Sequence, residues 1–110
     1  MNNPLSTSKR AQILLTCTRL FRKSGYAGTS MQDIANELGI KPASLYNHIS
    51  SKQDILVELL SFGANLFVDG MKDIKQSQLN DLQKLERLIA LHLRITVGHT
   101  DLMALIAVEW

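Results

Sequence analysis

Apolar residues recur at helical spacing along the whole sequence, and no stretch alternates between apolar and polar residues as a half-buried strand does. The first apolar stripe consists of Ile13, Leu14, Cys17, Leu20 and Phe21. It predicts a helix from about Ser8 to Ser24, which Gly25 should end because glycine readily adopts the left-handed conformation found after helices. The pattern as a whole predicts an all-α protein.

Two shorter helices are predicted next. Thr29 with Gln32 three residues later has the spacing of a capping box, so the second helix should start there and end at Gly39. Its buried face should consist of Ile34, Ala35 and Leu38. Pro42 suits the first turn of a third helix, because the N–H group that proline lacks would have no partner there.

A long fourth helix should begin with Ser51 as its cap and Asp54 in its first turn, where a negative charge is favourable. It should run on, with Gly63 and Gly70 as weak points, to a polar stretch at residues 76–81.

A fifth helix, Leu82 to Val97, is apolar on more than one face, which predicts that it is buried on more than one side. A sixth should start near Thr100 and is still apolar at Trp110. It is expected to leave large side chains partly uncovered, namely Leu102, Leu105, Ile106 and Trp110.

The segment from Met31 to Ser50 has the features of a helix–turn–helix motif, in which two short helices pack across each other at a steep angle. Ala35 is the small residue where the helices would cross, and Gly39 lies four residues later in the turn. The apolar anchors would be Ile34, Leu38, Ile40, Leu45 and Ile49.

The third helix would bury only Leu45 and Ile49, leaving the short polar side chains around them exposed. Such donors and acceptors at the start of a helix suit contact with base edges in the major groove of DNA. Thr29 and Ser30, with the N–H groups at the start of the second helix, form a candidate phosphate site, and Lys52 marks another. A winged helix is disfavoured, because the chain passes directly into the fourth helix.

The segment GYAGTSMQDIANELGIKPASLYNHISSKQDIL, residues 25–56, resembles the amino-terminal DNA-binding region of the tetracycline-repressor (TetR) family of bacterial transcriptional regulators. The shared features are a Thr or Ser at the start of the second helix, Ile-Ala within it, a glycine turn, Leu-Tyr followed by an aromatic residue or His, and Ser-Lys-x-x-Leu/Ile. The resemblance extends from about Ser8 to Leu60. Two residues depart from the pattern: Ile49 stands where Phe is common, and Lys41 stands where Ser or Thr often caps the third helix, a cap worth about 1 kcal/mol.

The resemblance implies roles for individual residues. It implies phosphate contacts by Thr29, Ser30, Tyr46 and Lys52. It also implies that the major groove is lined by Lys41, Pro42, Ala43, Ser44, Asn47 and His48.

The resemblance further implies a domain organisation: a DNA-binding domain at residues 1–50, the start of the fourth helix at 51–60, and part of a helical regulatory domain at 51–110. Members act as homodimers on palindromic double-stranded operators, mostly as repressors that a small ligand releases by shifting the fourth helix. The effector of this chain is not indicated. Pocket or core positions would be Phe62, Leu66, Phe67, Met71, Leu91 and Met103.

Composition and charge narrow the function further. The net charge is only +2, but residues 1–60 carry seven basic and four acidic side chains, so the amino-terminal half is the basic one. The single Cys17 excludes an internal disulfide, and no cluster suggests a metal, a cofactor or a catalytic site. The segment MNNPLSTSKRAQ has no apolar core and is not expected to be a signal peptide, and the longest apolar run, Leu102–Val108, is too short to span a membrane, so we expect a cytoplasmic protein.

Two alternatives stay open at this point. The sequence is still apolar at Trp110, which is expected either if it is a fragment of a longer regulator or if it is a short form that self-association completes; we favour the fragment. The rival function is a truncated helical module that no longer binds DNA and instead pairs with a full-length regulator.

Overall fold

The computed structural model describes residues 8–109, and all regular structure within that range is helical. In chain order the helices are α1 (Lys9–Ser24), α2 (Met31–Leu38), α3 (Pro42–Tyr46), α4 (Lys52–Gln76), α5 (Asp81–Gly98) and α6 (Thr100–Glu109). The first three form one end of a molecule whose longest dimension is 54 Å. The long helix α4 connects that end to α5, while α6 returns to pack against α1.

A single apolar core holds α1, α2, α3, α4 and α6 together. Its members are Ile13, Leu14, Cys17, Phe21, Ile34, Ala35, Leu45, Ile49, Ile55, Leu59, Leu102 and Leu105. The side chains of Leu45 and Ile55 are completely buried. Burial of one such side chain contributes about 1.5–3 kcal/mol, so this cluster fixes the position of α3 despite its short length.

The cap of α4 was predicted from the sequence, whereas that of α2 differs from the prediction. As expected, Ser51 accepts a hydrogen bond from the N–H of Asp54, at 3.1 Å. The capping box of α2, however, is formed by Ser30 and Asp33 rather than by Thr29 and Gln32. The prediction placed the helix start one residue too early, because the side chain of Thr29 points inwards, where it has another partner.

Helix α4 is continuous across both of its glycines. A Cβ atom at Gly63 would lie 2.4 Å from Cδ1 of Ile106, and one at Gly70 would lie 2.5 Å from Cδ1 of Leu91. The glycines therefore allow α6 and α5 to approach α4 closely. Tertiary contact compensates for their low helix propensity, which is about 1 kcal/mol worse than that of alanine.

The prediction that α5 is buried on more than one side is wrong for the described residues. Only Leu91 and Ile95 of this helix are buried, on the side that faces α4. The opposite side carries five apolar residues that are 53–75% exposed, here called the α5 stripe: Leu82, Leu85, Ile89, Leu93 and Val97. The sequence pattern gives two apolar faces, but a neighbouring helix covers only one of them.

The expected partial exposure of α6 holds for Ile106 but is wrong for Leu102 and Leu105. Leu102 and Leu105 are only 4% and 2% exposed, because α6 packs back against α1. Ile106 is half-buried against the same core, and Trp110 lies outside the described residues.

No single helix within residues 8–109 has the length and apolar content to cross a membrane. Helices α5 and α6 together have sufficient length and apolar content, but the chain bends by 98° between them.

Candidate nucleic-acid interface

Helix α3 exposes the polar residues that the sequence pattern assigned to its outer side. Leu45 is completely buried and Ile49 is 3% exposed. The side chains that are exposed are those of Lys41, Ala43, Ser44, Tyr46, Asn47 and His48, and Pro42 is half-buried. These seven residues are here called the α3 face.

The α3 face consists of a short helix and a turn. The α-helix ends at Tyr46, earlier than the segment Pro42–Ile49 that the sequence suggested. The chain then continues through hydrogen bonds from the N–H of Asn47 to the carbonyl of Ser44 at 3.2 Å and from the N–H of His48 to the carbonyl of Leu45 at 2.9 Å. Asn47 and His48 are therefore presented on a tight turn.

The crossing of α2 and α3 depends on the turn between them. Gly39 has a φ angle of 69°, in the left-handed region, and Ile40 donates its N–H to the carbonyl of Ala35 at 3.0 Å. Ala35 itself is fully buried where the helices meet. The small residue, the turn glycine and the apolar anchors thus occupy the positions that a helix–turn–helix requires.

Thr29 lies in the interior. It is only 2% exposed, and its hydroxyl donates a hydrogen bond to the carbonyl of Gly25 at 2.7 Å. A phosphate contact by this hydroxyl would need that bond to break. We therefore assign Thr29 a structural role, that of closing the loop between α1 and α2.

Ser30 is exposed at the amino-terminal end of α2, but a carboxylate lies beside it. The N–H of Ser30 donates to Oδ2 of Asp33 at 2.9 Å, and the N–H of Asp33 donates to Oγ of Ser30 at 3.0 Å. The backbone N–H of Ser30, and after it the Ser30 hydroxyl, stabilise the carboxylate and lower the pKa of Asp33, so its side chain is negatively charged at neutral pH. This charge weakens the attraction of the helix end for a phosphate, and the N–H groups of Met31 and Gln32 are the remaining donors of the first turn.

Lys52 is half-buried and already has partners within the chain. Its Nζ donates to the carbonyl of Tyr26 at 2.7 Å and lies 4.3 Å from the centre of the Tyr26 ring. That ring in turn packs edge-on against Phe21, at a centroid distance of 5.2 Å. Lys52 thus holds the α1–α2 loop against α4, and its ammonium group keeps further N–H donors for an external acceptor.

Arg10 joins α1 to both α4 and the turn after α3. Its Nε donates to Oε1 of Glu58 at 3.1 Å and one terminal nitrogen donates to Oε2, while the other donates to the carbonyl of His48. No sequence pattern indicated this contact, because the three residues have no periodic relation.

The six predicted pocket residues do not line a single cavity. Leu66 and Leu91 line a cleft of about 470 Å³ between α4 and α5, together with Arg94, Ile95 and His99. Phe67 lines a separate apolar cleft of about 270 Å³ beside Gly63 and Ile106.

The other three predicted pocket residues lie elsewhere. Phe62 packs edge-on against the ring of His99 at 5.7 Å, Met103 packs against the core, and Met71 is 50% exposed on the surface. Arg94 was missed, although the spacing of Leu91, Arg94 and Ile95 places these three residues on one side of α5. Within residues 8–109 no three His, Cys, Asp or Glu side chains are grouped as a metal site.

Residues 13–59 match the family model described as bacterial regulatory proteins, tetR family. The chain is 30% identical over 103 residues to the uncharacterized HTH-type transcriptional regulator YerO of Bacillus subtilis, covering 92% of this chain and 36% of YerO. It is 33% identical over 81 residues to the HTH-type transcriptional repressor KstR2 of Mycobacterium tuberculosis, covering 74% of this chain and 40% of KstR2.

Solved structures share the arrangement of helices. The ketosteroid transcriptional regulator KstR2 of Mycobacterium tuberculosis has a TM-score of 0.89 at 28% identity, over 94% of this chain and 53% of that chain. AibR in complex with isovaleryl coenzyme A and operator DNA has a TM-score of 0.77 at 30% identity, over 93% of this chain and 56% of that chain. The predicted all-α fold with an amino-terminal helix–turn–helix is confirmed, and the chain spans about half or less of each relative.

Proposed function

From the match of residues 13–59 to the model of bacterial regulatory proteins of the tetR family, we propose that the chain is the DNA-binding part of a sequence-specific transcriptional repressor. The observation that carries the proposal is the α3 face. Only Leu45 and Ile49 anchor it, and every polar side chain between Lys41 and His48 is exposed. This five-residue helix places only Leu45 in the core, so its exposed side chains are available for a partner.

The chemistry of the α3 face suits base edges in the major groove. Asn47 can make two hydrogen bonds to adenine, Lys41 can donate to the acceptors of guanine, and Ala43 can contact a thymine methyl group. Pro42, Ser44 and His48 complete the surface that lines the groove.

The neighbouring residues suit the phosphate backbone. Tyr46 is 52% exposed beside the groove-lining residues, and its hydroxyl can donate to a phosphate oxygen. Ser30 and the ammonium of Lys52 lie at the starts of α2 and α4, where backbone N–H groups attract an anion and the carboxylates of Asp33 and Asp54 weaken that attraction. Thr29 is left out of this set because it is buried.

The regulatory mechanism is the finer part of the proposal. Two chains would bind a palindromic operator in the cytoplasm, with recognition helices about 34–36 Å apart in successive major grooves. A small-molecule effector in the cleft beside Leu66 and Leu91 would displace α4 and change that spacing.

A second candidate function is supported by the α5 stripe. Five apolar side chains that are more than half exposed favour association with another protein. In this alternative the chain pairs with a full-length regulator through the stripe and binds no operator itself.

Binding to duplex DNA distinguishes the two candidates. A duplex selected by the wild-type chain from a random-sequence pool should bind more tightly than an unrelated duplex of equal length, with an affinity that falls as salt rises. Tyr46→Ala and Asn47→Ala should weaken binding to the selected duplex, and light scattering should show two chains on each duplex.

A pair of lysine variants provides the control. Lys52→Ala should reduce the slope of log affinity against log salt by about one, whereas Lys72→Ala, at the far end of α4, should leave it unchanged. A wild-type chain that selects no duplex but associates through α5 supports the interaction module instead.

A further inference from the structure

Arg10 makes its contacts through one rigid group. The guanidinium holds both carboxylate oxygens of Glu58 with two nitrogens, at 3.1 and 2.5 Å, and donates to the carbonyl oxygen of His48 with the third, at 2.5 Å. Because the nitrogens are fixed in one plane, the position of the carboxylate sets the position of the donor that reaches His48. The second turn of α4 is thereby linked to the end of the α3 face.

The end of the α3 face has few other restraints. After Tyr46 the backbone is held by single hydrogen bonds of Asn47, His48 and Ile49 to the preceding turn, and only Ile49 is buried among these residues. The directions of the Asn47 and His48 side chains therefore depend on the conformation of this turn. A contact to the carbonyl of His48 restrains that conformation directly.

We propose that Arg10 is a positioning residue, which holds the turn at residues 47–48 in a fixed place relative to α4. When α4 moves, Glu58 moves the guanidinium, and the turn that carries Asn47 and His48 follows. This role depends on the proposed function, since it matters for binding only if the α3 face contacts DNA.

A second ion pair on α1 provides a matched control. Arg19 contacts Glu37 on α2 at 3.3 Å, and both side chains are about half exposed, like those of Arg10 and Glu58. The pair joins α1 to a neighbouring helix but does not touch the α3 face. Loss of either pair removes one exposed salt bridge, and only loss of Arg10 removes the contact to His48.

The first test uses amide hydrogen exchange in the full chain without DNA. Arg10→Met should speed exchange of the N–H groups of His48 and Ile49 about tenfold, because opening of this turn becomes easier. Glu58→Met should raise the same rates in the wild-type chain but not in the Arg10→Met chain, since Glu58 acts through Arg10. Arg19→Met should leave these rates within twofold of wild type. Unchanged rates in Arg10→Met, or an equal effect of Glu58→Met in both backgrounds, would overturn the proposal.

The second test uses the selected duplex and the unrelated duplex of equal length. Arg10→Met should reduce the preference for the selected duplex about tenfold while the salt slope stays the same, because base contacts are misplaced and phosphate contacts persist. Equal weakening on both duplexes, with a salt slope lower by about one, would show that Arg10 itself contacts phosphate. If the wild-type chain selects no duplex, the proposed function fails, and the exchange rates still decide whether Arg10 positions the turn.

Discussion

Replacement by alanine is predicted to lower the stability of the fold at Gly39 and to raise it at Gly98. A Cβ atom added at either glycine meets no atom within 4 Å, so steric overlap does not enter the comparison. Gly39 has a φ angle of 69°, whereas Gly98 is the last residue of α5. The two alanine variants therefore differ only in what the backbone conformation costs.

The magnitudes follow from backbone energetics. A side chain in the left-handed region costs about 1–2 kcal/mol, and alanine recovers about 0.4–1 kcal/mol by restricting the unfolded chain, so Gly39→Ala should lose about 1 kcal/mol. Gly98→Ala should gain about 0.5–1 kcal/mol, because alanine is the better helix former. In a chain of this size 1 kcal/mol corresponds to about 4–8 °C in melting temperature, so the two variants should differ by about 10 °C.

Thermal unfolding followed by circular dichroism at 222 nm measures both variants, and Gly39→Asn serves as a check because asparagine tolerates the left-handed region better than alanine. Its loss should be smaller than that of Gly39→Ala. Shifts of the same sign for Gly39→Ala and Gly98→Ala would refute the reasoning, because the turn between α2 and α3 would then not require a positive φ angle.

Three further results are expected. Leu45→Ala should cost about 2–5 kcal/mol in urea unfolding, while the same change at Leu85, which is 53% exposed, should cost under about 1 kcal/mol; equal losses would contradict the burial of Leu45. Burial raises the pKa of the Cys17 thiol to about 12, from an ordinary value of 9.0. Because the thiol of the unfolded chain loses its proton at lower pH, the stability should fall as the pH rises above about 9, and Cys17→Ala should not show this fall. The lowered pKa of Asp33 makes the stability depend on pH in the opposite direction. Its hydrogen bonds with Ser30 stabilise the folded chain above the ordinary pKa of the carboxyl group, and this stabilisation should be lost as the pH falls below that value. Asp33→Asn should remove this dependence on pH.

The parts of the fold that were predictable are those that depend on local periodicity. The order of the helices, the Ser51 cap and the exposure of the α3 face all follow from residues within one or two turns of each other. Leu45 and Ile49 are four residues apart and flanked by polar residues, so the sequence alone determines which side of α3 is buried.

The errors arise where a distant contact decides between local alternatives. Thr29 and Ser30 both carry hydroxyl groups that can cap α2, and Thr29 is excluded because its hydroxyl meets the carbonyl of Gly25. Gly63 and Gly70 weaken a helix in isolation, and only the approach of α6 and α5 shows why α4 continues through them. The contact between Arg10 and His48 joins positions 38 residues apart, a separation at which no periodic pattern applies.

The same limit applies to the candidate site. The pattern identified the polar residues of the α3 face, yet it did not show that Lys52 is shared with Tyr26 or that a carboxylate lies beside Ser30. The pattern also predicted two apolar faces on α5, but it did not indicate which of them α4 covers. Side-chain partners across the fold depend on the packing of whole helices, which local spacing does not specify.

The uninterrupted length of α4 has a geometric consequence. Its 25 residues span about 37 Å at 1.5 Å per residue, and its first turns are fixed to the amino-terminal helices through Ile55 and Leu59. A sideways displacement of about 3 Å at its far end corresponds to a rotation of about 5° of everything attached to the near end. Since the rise of one base pair is about 3.4 Å, a movement at the far end no larger than one step of the double helix would be enough to tilt the amino-terminal helices by that angle.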